Sequence, residues 1–229
     1  MSALSPKVFP DHATARFHMV AAQLRTNRVQ DESILTAMET LPREIFVPPH
    51  LSGIAYIDED IEVAAGRYLL EPMILARLLQ EAKIKATDAV LDVAPATGYS
   101  TAILAMLARD VTAVEPDAAL AAAIGKNLSG LSVVNARVEH APATAGCAAH
   151  APYDVILING SVDAVPNILF ASLAEGGRLL AVVTPQGGTE PVGEARLYEK
   201  RHGAIAHRAL FNANVKPLAD FAAKPRFVF

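Results

Sequence analysis

Apolar and polar positions follow two different periods along this chain, and the change between them marks its organisation. From Ala13 the apolar positions fall at helical spacing: Phe17, Val20, Ala21 and Leu24 share one face, with Arg16, Gln23 and Arg25 opposite. Asp31 has the character of an N-cap for a second helix through Ile34, Leu35, Met38 and Leu41, which Pro42 closes. Pro48 and Pro49 force an extended connection. The stretch Ala55 to Val63, AYIDEDIEV, mixes aromatic and β-branched residues with acids and predicts a short exposed strand or hairpin. Gly66 to Pro72 reads as a loop, and Pro72 suits the first turn of a helix that buries Ile74, Leu75, Leu78 and Leu79.

From Ala89 onward strand and helix patterns alternate. Strands are predicted at Ala89–Val93, Val111–Val114, Ser132–Ala136, Tyr153–Ile158 and Arg178–Val183. Helices are predicted at Tyr99–Ala108, at Asp117–Leu128, and from Pro166 through Leu173, where Gly176-Gly177 ends the last. Arg137 to Pro152 is alanine-rich and polar, a loop or a weak helix. After a loop at Pro185-Gln186-Gly187-Gly188, two strands at Ala195–Lys200 and Ala204–Phe211 meet at His202-Gly203 as a β-hairpin. The pattern predicts an α/β fold, a mainly parallel sheet with helices on both faces. Its organisation is an N-terminal helical and loop extension over 13–71, a core over 72–211 and a tail over 212–229, with 1–12 irregular.

Composition narrows the function classes. With 229 residues, 52% of them hydrophobic, the chain can bury a full core. A formal net charge of -4 offers no basic excess for nucleic acid or an anionic membrane. The single cysteine, Cys147, forms no internal disulfide, and the seven histidines show no metal-ligand spacing, so no metal is expected. The opening residues lack the apolar core of a secretory signal, and no apolar run reaches the roughly 18 residues of a membrane helix. These features set the expectation of a soluble, cytoplasmic protein.

The candidate chemistry lies in Ala89 to Met106, AVLDVAPATGYSTAILAM. A short apolar strand ending near Asp92 turns through Ala94, Pro95, Ala96 and Gly98 into a helix that starts at Tyr99. Strand, small-residue turn and helix together hold nucleotide-like cofactors, because backbone N–H groups at the helix start face the ligand. Glu115 ends the next strand, where an acid about 20 residues after the loop accepts hydrogen bonds from both ribose hydroxyls. Tyr99 either lines the cofactor pocket or packs beneath it.

Several further motifs match one family. METLPREIFVP at Met38–Pro48, Ala55-Tyr56, Gly66, Pro72, VLDV…TGYSTAILA at Val90–Ala105, Pro152-Tyr153-Asp154, Val165-Pro166 and Glu175-Gly176-Gly177 together resemble the protein-L-isoaspartate O-methyltransferases from about Arg16 to Phe211. The resemblance implies a Rossmann-like, S-adenosylmethionine-dependent fold that esterifies a carboxylate on a protein or peptide. It places the cofactor on Asp92, Ala94, Pro95, Ala96, Gly98, Tyr99, Glu115 and Asn159, with Glu139 standing in for an acid near the adenine.

This chain departs from the family pattern around Val138-Glu139-His140, where the family has an acid and a glycine, and at two further places. Leu70 and Glu71 occupy the positions of a hydroxyl residue and a Gln that hold the acceptor carboxylate. An ionised Glu71 repels such a carboxylate, by about 1 kcal/mol at 4 Å in water-like dielectric. Arg67 is the nearby cation able to pair with the acceptor, or to neutralise Glu71. In the cofactor loop, Ala94 and Ala96 replace glycines; an alanine in left-handed conformation costs roughly 1–2 kcal/mol. Three readings follow: a methyltransferase of this type with weak or altered activity, a non-catalytic binding protein of the same fold, and, ranked last, a nicotinamide-dependent oxidoreductase. The last lacks the G-x-G-x-x-G spacing.

Overall fold

The computed structural model describes residues 11–184 and 192–222. Its first helix, α1 (His12–His18), is capped by the Asp11 carboxylate on Thr14 N. The helix continues into a wider turn over Met19–Leu24, where Arg25 N–H reaches back five residues to Val20 O. That widening rotates the predicted face. Met19, Val20 and Leu24 are buried, whereas Phe17 is 56% exposed and Ala21 also faces solvent. Asp31 caps α2 (Glu32–Thr40) through Ser33 N and Ile34 N, as its sequence position predicts.

The predicted hairpin lies further along the chain than the sequence pattern places it. β1 (Ile61–Ala64) and β2 (Arg67–Leu69) pair antiparallel, and Gly66 turns between them at φ 66°. The Gly66–Pro72 stretch read as a loop therefore contains a strand. Glu71 then leads into α3 (Pro72–Ala82), with Pro72 at its first turn.

Seven strands form the main sheet: β3 (Ala89–Val93), β4 (Asp110–Glu115), β5 (Ala136–His140), β6 (Tyr153–Val162), β7 (Leu173–Val183), β8 (Gly193–Arg201) and β9 (Ala204–Ala213). Their spatial order is β5-β4-β3-β6-β7-β8-β9; the first five are parallel and the last two complete an antiparallel hairpin. Helices α4 (Tyr99–Leu107), α5 (Ala118–Gly130) and α6 (Asn167–Ala171) connect them. Succession runs outward from β3 to β5, then jumps back to β6, so the strand order reverses between β3 and β6. Ligand crevices form at the carboxyl ends of strands at such a reversal.

Alternating side chains divide the core into two layers. Val90, Val155, Leu157 and Leu180 pack with residues of α2, α3, α4 and α5, while Leu91, Ile156, Ile158 and Leu179 pack with Leu169 of α6, Ala143, Tyr198 and Phe221. Among the described residues, no helix is long and apolar enough to cross a membrane.

Two strand predictions are corrected. The strand expected at Ser132–Ala136 starts only at Ala136, because Ser132 adopts φ 56° and Val133 N still bonds Leu128 O to finish α5. Val134 is left 94% exposed, so its β-branching signals extended connection and not a buried strand. Gly176-Gly177 falls inside β7, in an out-of-register stretch between the Leu173 and Arg178 pairings; regular pairing does begin at Arg178. The loop predicted at 185–188 lies outside the described residues, as do positions 1–10 of the irregular start and 223–229 of the tail.

The chain returns to the carboxyl edge of the sheet after β9. Ser161 N donates to Lys216 O (3.0 Å) and Leu218 N to Ser161 O (2.9 Å), laying the Leu218 side chain against Gly160. A β-carbon on Gly160 would lie 2.5 Å from Leu218 Cγ. We predict that Gly160→Ala destabilises the fold by about 1–3 kcal/mol through overpacking. Leu218→Ala in the same chain should recover part of that loss, which a double-mutant cycle of urea unfolding measures. Strict additivity would exclude the contact.

Candidate functional site

At the carboxyl end of β3 the chain makes the predicted turn, and it makes it in the conformation that favours glycine. Ala94 and Ala96 sit at φ 56° and 55°, and Gly98 at φ 92° caps α4. The neighbours enforce this path. Ala94 N donates to Val114 O (2.8 Å), Asn127 Nδ2 to Thr97 O (3.0 Å), and Thr97 Oγ1 to Phe46 O (2.5 Å). Beneath the turn, Asp92 is fully buried and accepts from Ser100 Oγ (2.8 Å), Thr101 Oγ1 (2.7 Å) and Asn159 Nδ2 (2.6 Å). Burial pushes its carboxyl up to about 6, and the three donors hold it down against that rise.

Glu115, also fully buried, stands beside this turn at the end of β4. Arg67 of β2 grips it with both arms, Nη1 to Oε1 at 2.5 Å and Nη2 to Oε2 at 2.8 Å, while Nη2 also reaches Ala94 O at 3.1 Å. Ala96 N and Asp117 N donate to the same carboxylate at 3.0 and 3.1 Å. In front lies a crevice of about 260 Å³, lined by Arg67, Ala94, Pro116, Asp117, Ala143 and the returning segment Leu218–Phe221.

Leu70 and Glu71 sit where the hairpin passes into α3. Leu70 is buried, and its carbonyl accepts from Nη2 of Arg43 at 2.8 Å. Arg43 is itself fully buried: its Nε donates to Ala55 O (2.7 Å), and its guanidinium lies 4.7 Å above the Tyr99 ring. Tyr99 thus packs beneath the turn, edge-on to Phe46 at 5.3 Å. Glu71 is half-buried and forms no capping bond. Burial, and then Asp58, Asp60 and Glu59, push its carboxyl up to about 7. Asp60 joins three segments, accepting from Glu71 N (2.8 Å) and from Lys216 N (3.1 Å).

Residues 15–220 match the model of the "Protein-L-isoaspartate(D-aspartate) O-methyltransferase (PCMT)" family. The chain belongs to this family. A protein-L-isoaspartate O-methyltransferase of Koribacter versatilis is 37% identical over 206 residues, covering 90% of this chain and 91% of its own. One from Methylorubrum extorquens is 37% identical over 180 residues, covering 78% of each chain. Solved structures share the fold. A protein-L-isoaspartate O-methyltransferase superimposes with TM-score 0.76 at 22% identity over 89% of this chain, which spans 66% of that one. A Plasmodium falciparum protein-L-isoaspartate O-methyltransferase in complex with S-adenosyl-L-homocysteine gives 0.75 at 19% identity, covering 92% of this chain and 99% of its own.

Within this family member the structure gathers Asp92, Ala94, Pro95, Ala96, Gly98, Tyr99, Asn159, Glu115 and Arg67 at one edge of the sheet, with Leu70 and Glu71 at the adjoining hairpin. Glu139 does not join them. The alternation of β5 turns it toward His150 (3.4 Å), while His140 meets Pro116 O at 3.1 Å. Glu139, Cys147 and His150 bring one ligand atom each within 4.8 Å of one another, a grouping that linear spacing conceals. Arg43 was missed as a candidate although it lies inside the matched METLPREIFVP motif; a charged residue amid apolar neighbours was the available signal.

We predict that Asp92→Asn lowers stability by about 1–3 kcal/mol, because one of its two acceptor oxygens becomes a donor facing either Asn159 Nδ2 or the Ser100 and Thr101 hydroxyls. Urea unfolding measures this. Asp92 also titrates in the fold above its ordinary value of 3.8, so the wild-type contribution falls as pH rises from about 4 through 6, and the Asn variant lacks that slope.

Proposed function

We propose that this chain transfers the methyl group of S-adenosylmethionine to a carboxylate on a protein or peptide, an isoaspartyl carboxylate being the family's acceptor. The observation that carries the reading is the buried Glu115 carboxylate beside the Ala94–Gly98 turn, on a chain matched to the family model over 15–220. The residues fit an adenosyl group: Arg67 and Asp117, which both donate to the buried Glu115, line the crevice, and Ala94, Ala143, Leu218 and Phe221 offer an apolar wall for a base. Bound there, the sulfonium supplies an electrophilic methyl carbon that a carboxylate oxygen takes while the S–C electron pair stays on sulfur. Because a carboxylate is ionised at neutral pH, the protein's work is placement and not proton removal.

Placement on the acceptor side falls to the hairpin and Glu71. Asp58, Glu59 and Asp60 face Glu71, and with its proton retained to about pH 7 the side chain presents an O–H donor, as a glutamine presents an N–H. Ionised, it repels the acceptor. Leu70 supplies no donor in either state. Arg67, the cation nearest by sequence, is engaged by Glu115.

Two measurements test this reading. Glu115→Ala should weaken S-adenosylhomocysteine binding by roughly 1–3 kcal/mol, the loss of hydrogen bonds to a charged group; unchanged calorimetric affinity would remove Glu115 from the site. Transfer of labelled methyl to an isoaspartyl peptide should be slow at pH 8 and rise as pH falls through about 7, the value to which Glu71 is raised. Glu71→Gln should flatten that profile, and Leu70→Ser/Glu71→Gln should raise turnover further. Fast wild-type turnover independent of pH would refute the role given to Glu71. If both proteins bind S-adenosylhomocysteine and neither turns over, the acceptor is not an isoaspartyl peptide.

A further inference from the structure

The Glu115 carboxylate has no acceptor capacity left. Oε1 accepts from Arg67 Nη1 and Asp117 N, and Oε2 from Arg67 Nη2 and Ala96 N. A carboxylate offers about four lone-pair sites, and these four donors fill them. A ribose that presents two hydroxyls to this group must therefore displace two donors. Ala96 N and Asp117 N are backbone amides, the first in a turn tied down by Val114 O and Phe46 O, the second at the N-cap of α5. Arg67 is a side chain on a three-residue strand of a two-stranded hairpin outside the main sheet. The guanidinium is the part that can leave.

We infer that Arg67 is a competitive latch on the cofactor site: in the empty protein its guanidinium occupies the ribose acid, and an adenosyl ligand binds by displacing it. The inference rests on the cofactor reading above and adds that this chain limits its own cofactor affinity. The latch also covers Ala94 O, so it closes the turn and the acid together. Its energetic sense follows from burial. Glu115 is 0% exposed and the Arg67 side chain 14%, so an unoccupied Glu115 without Arg67 would be a buried, half-satisfied charge. Ribose hydroxyls relieve that state more effectively than they compete with a bidentate guanidinium.

A latch and a purely structural strut predict opposite results. Removing a strut lowers stability and binding together; removing a latch lowers the stability of the empty protein and tightens the ligand. The experiment is calorimetric titration of S-adenosylhomocysteine into the wild type, Arg67→Ala and Arg67→Lys, with thermal melts of each ligand-free protein. We expect Arg67→Ala to melt lower than the wild type when empty. It should bind S-adenosylhomocysteine about tenfold tighter, equivalent to about 1.4 kcal/mol. Arg67→Lys, a point charge without the fork, should fall between and serves as the test if the alanine variant does not fold. Equal or weaker binding by folded variants overturns the latch and leaves the cofactor reading standing. No binding by any of the three proteins overturns the cofactor reading and the latch with it.

Discussion

A carboxylate removed from water must be surrounded by donors, and satisfying Glu115 fixes much of this molecule. Its side chain is wholly buried at the carboxyl end of β4, so the fold has to bring donors to it from elsewhere. Two come from the backbone turns before α4 and α5. The other two come from Arg67, 48 residues earlier, and that contact ties the small hairpin of β1 and β2 to the main sheet. The order of the crevice therefore depends on one ion pair whose partners lie far apart in sequence. On the proposed reading the same carboxylate receives a ribose, so stability of the empty site and affinity for a ligand would draw on the same lone pairs.

The turn beside Glu115 shows a second constraint, backbone strain held by its surroundings. Two alanines in left-handed conformation cost roughly 1–2 kcal/mol each. They persist because their amides and carbonyls are committed: Ala94 N to Val114 O, Ala96 N to Glu115, and Ala94 O to Arg67. Below them Asp92 gathers Ser100, Thr101 and Asn159, linking α4 and β6 to the end of β3. The N-terminal extension adds a brace from the other side, with Phe46 O taking the Thr97 hydroxyl and Arg43 lying over Tyr99. In this sense the extension is part of the site's scaffold.

Charge around Glu71 follows a different logic. Asp58, Glu59, Asp60 and Glu71 crowd one end of the hairpin, and their mutual repulsion adds to burial in holding the proton on Glu71. Asp60 escapes part of that crowding by accepting from the backbone of Glu71, just before α3, and of the returning C-terminal segment. That segment reaches Ser161 and lays Leu218 across Gly160, so the acidic end of the hairpin and the crevice wall share a fastening.

The sequence by itself determined the order of elements from Ala89 to Phe211, because strand and helix periods are local properties that neighbouring residues express without help. It also determined the family, since motifs such as Met38–Pro48 and Val90–Ala105 are contiguous, and it pointed to Asp92, Glu115 and Asn159 at strand ends. Phe17, Val134 and Glu139 were misread, each for a geometric reason: a widened helical turn, a left-handed residue at Ser132 and the alternation of β5. Only the tertiary structure decided that Ala94 and Ala96 keep the turn of glycines, that Arg43 backs Leu70, and that Arg67 serves Glu115. Those outcomes depend on hydrogen-bond partners 19 to 51 residues apart, such as Ala96 with Glu115, Arg67 with Glu115 and Thr97 with Phe46. Linear spacing carries no record of which buried charge will find which donor; that is settled when the chain closes around both.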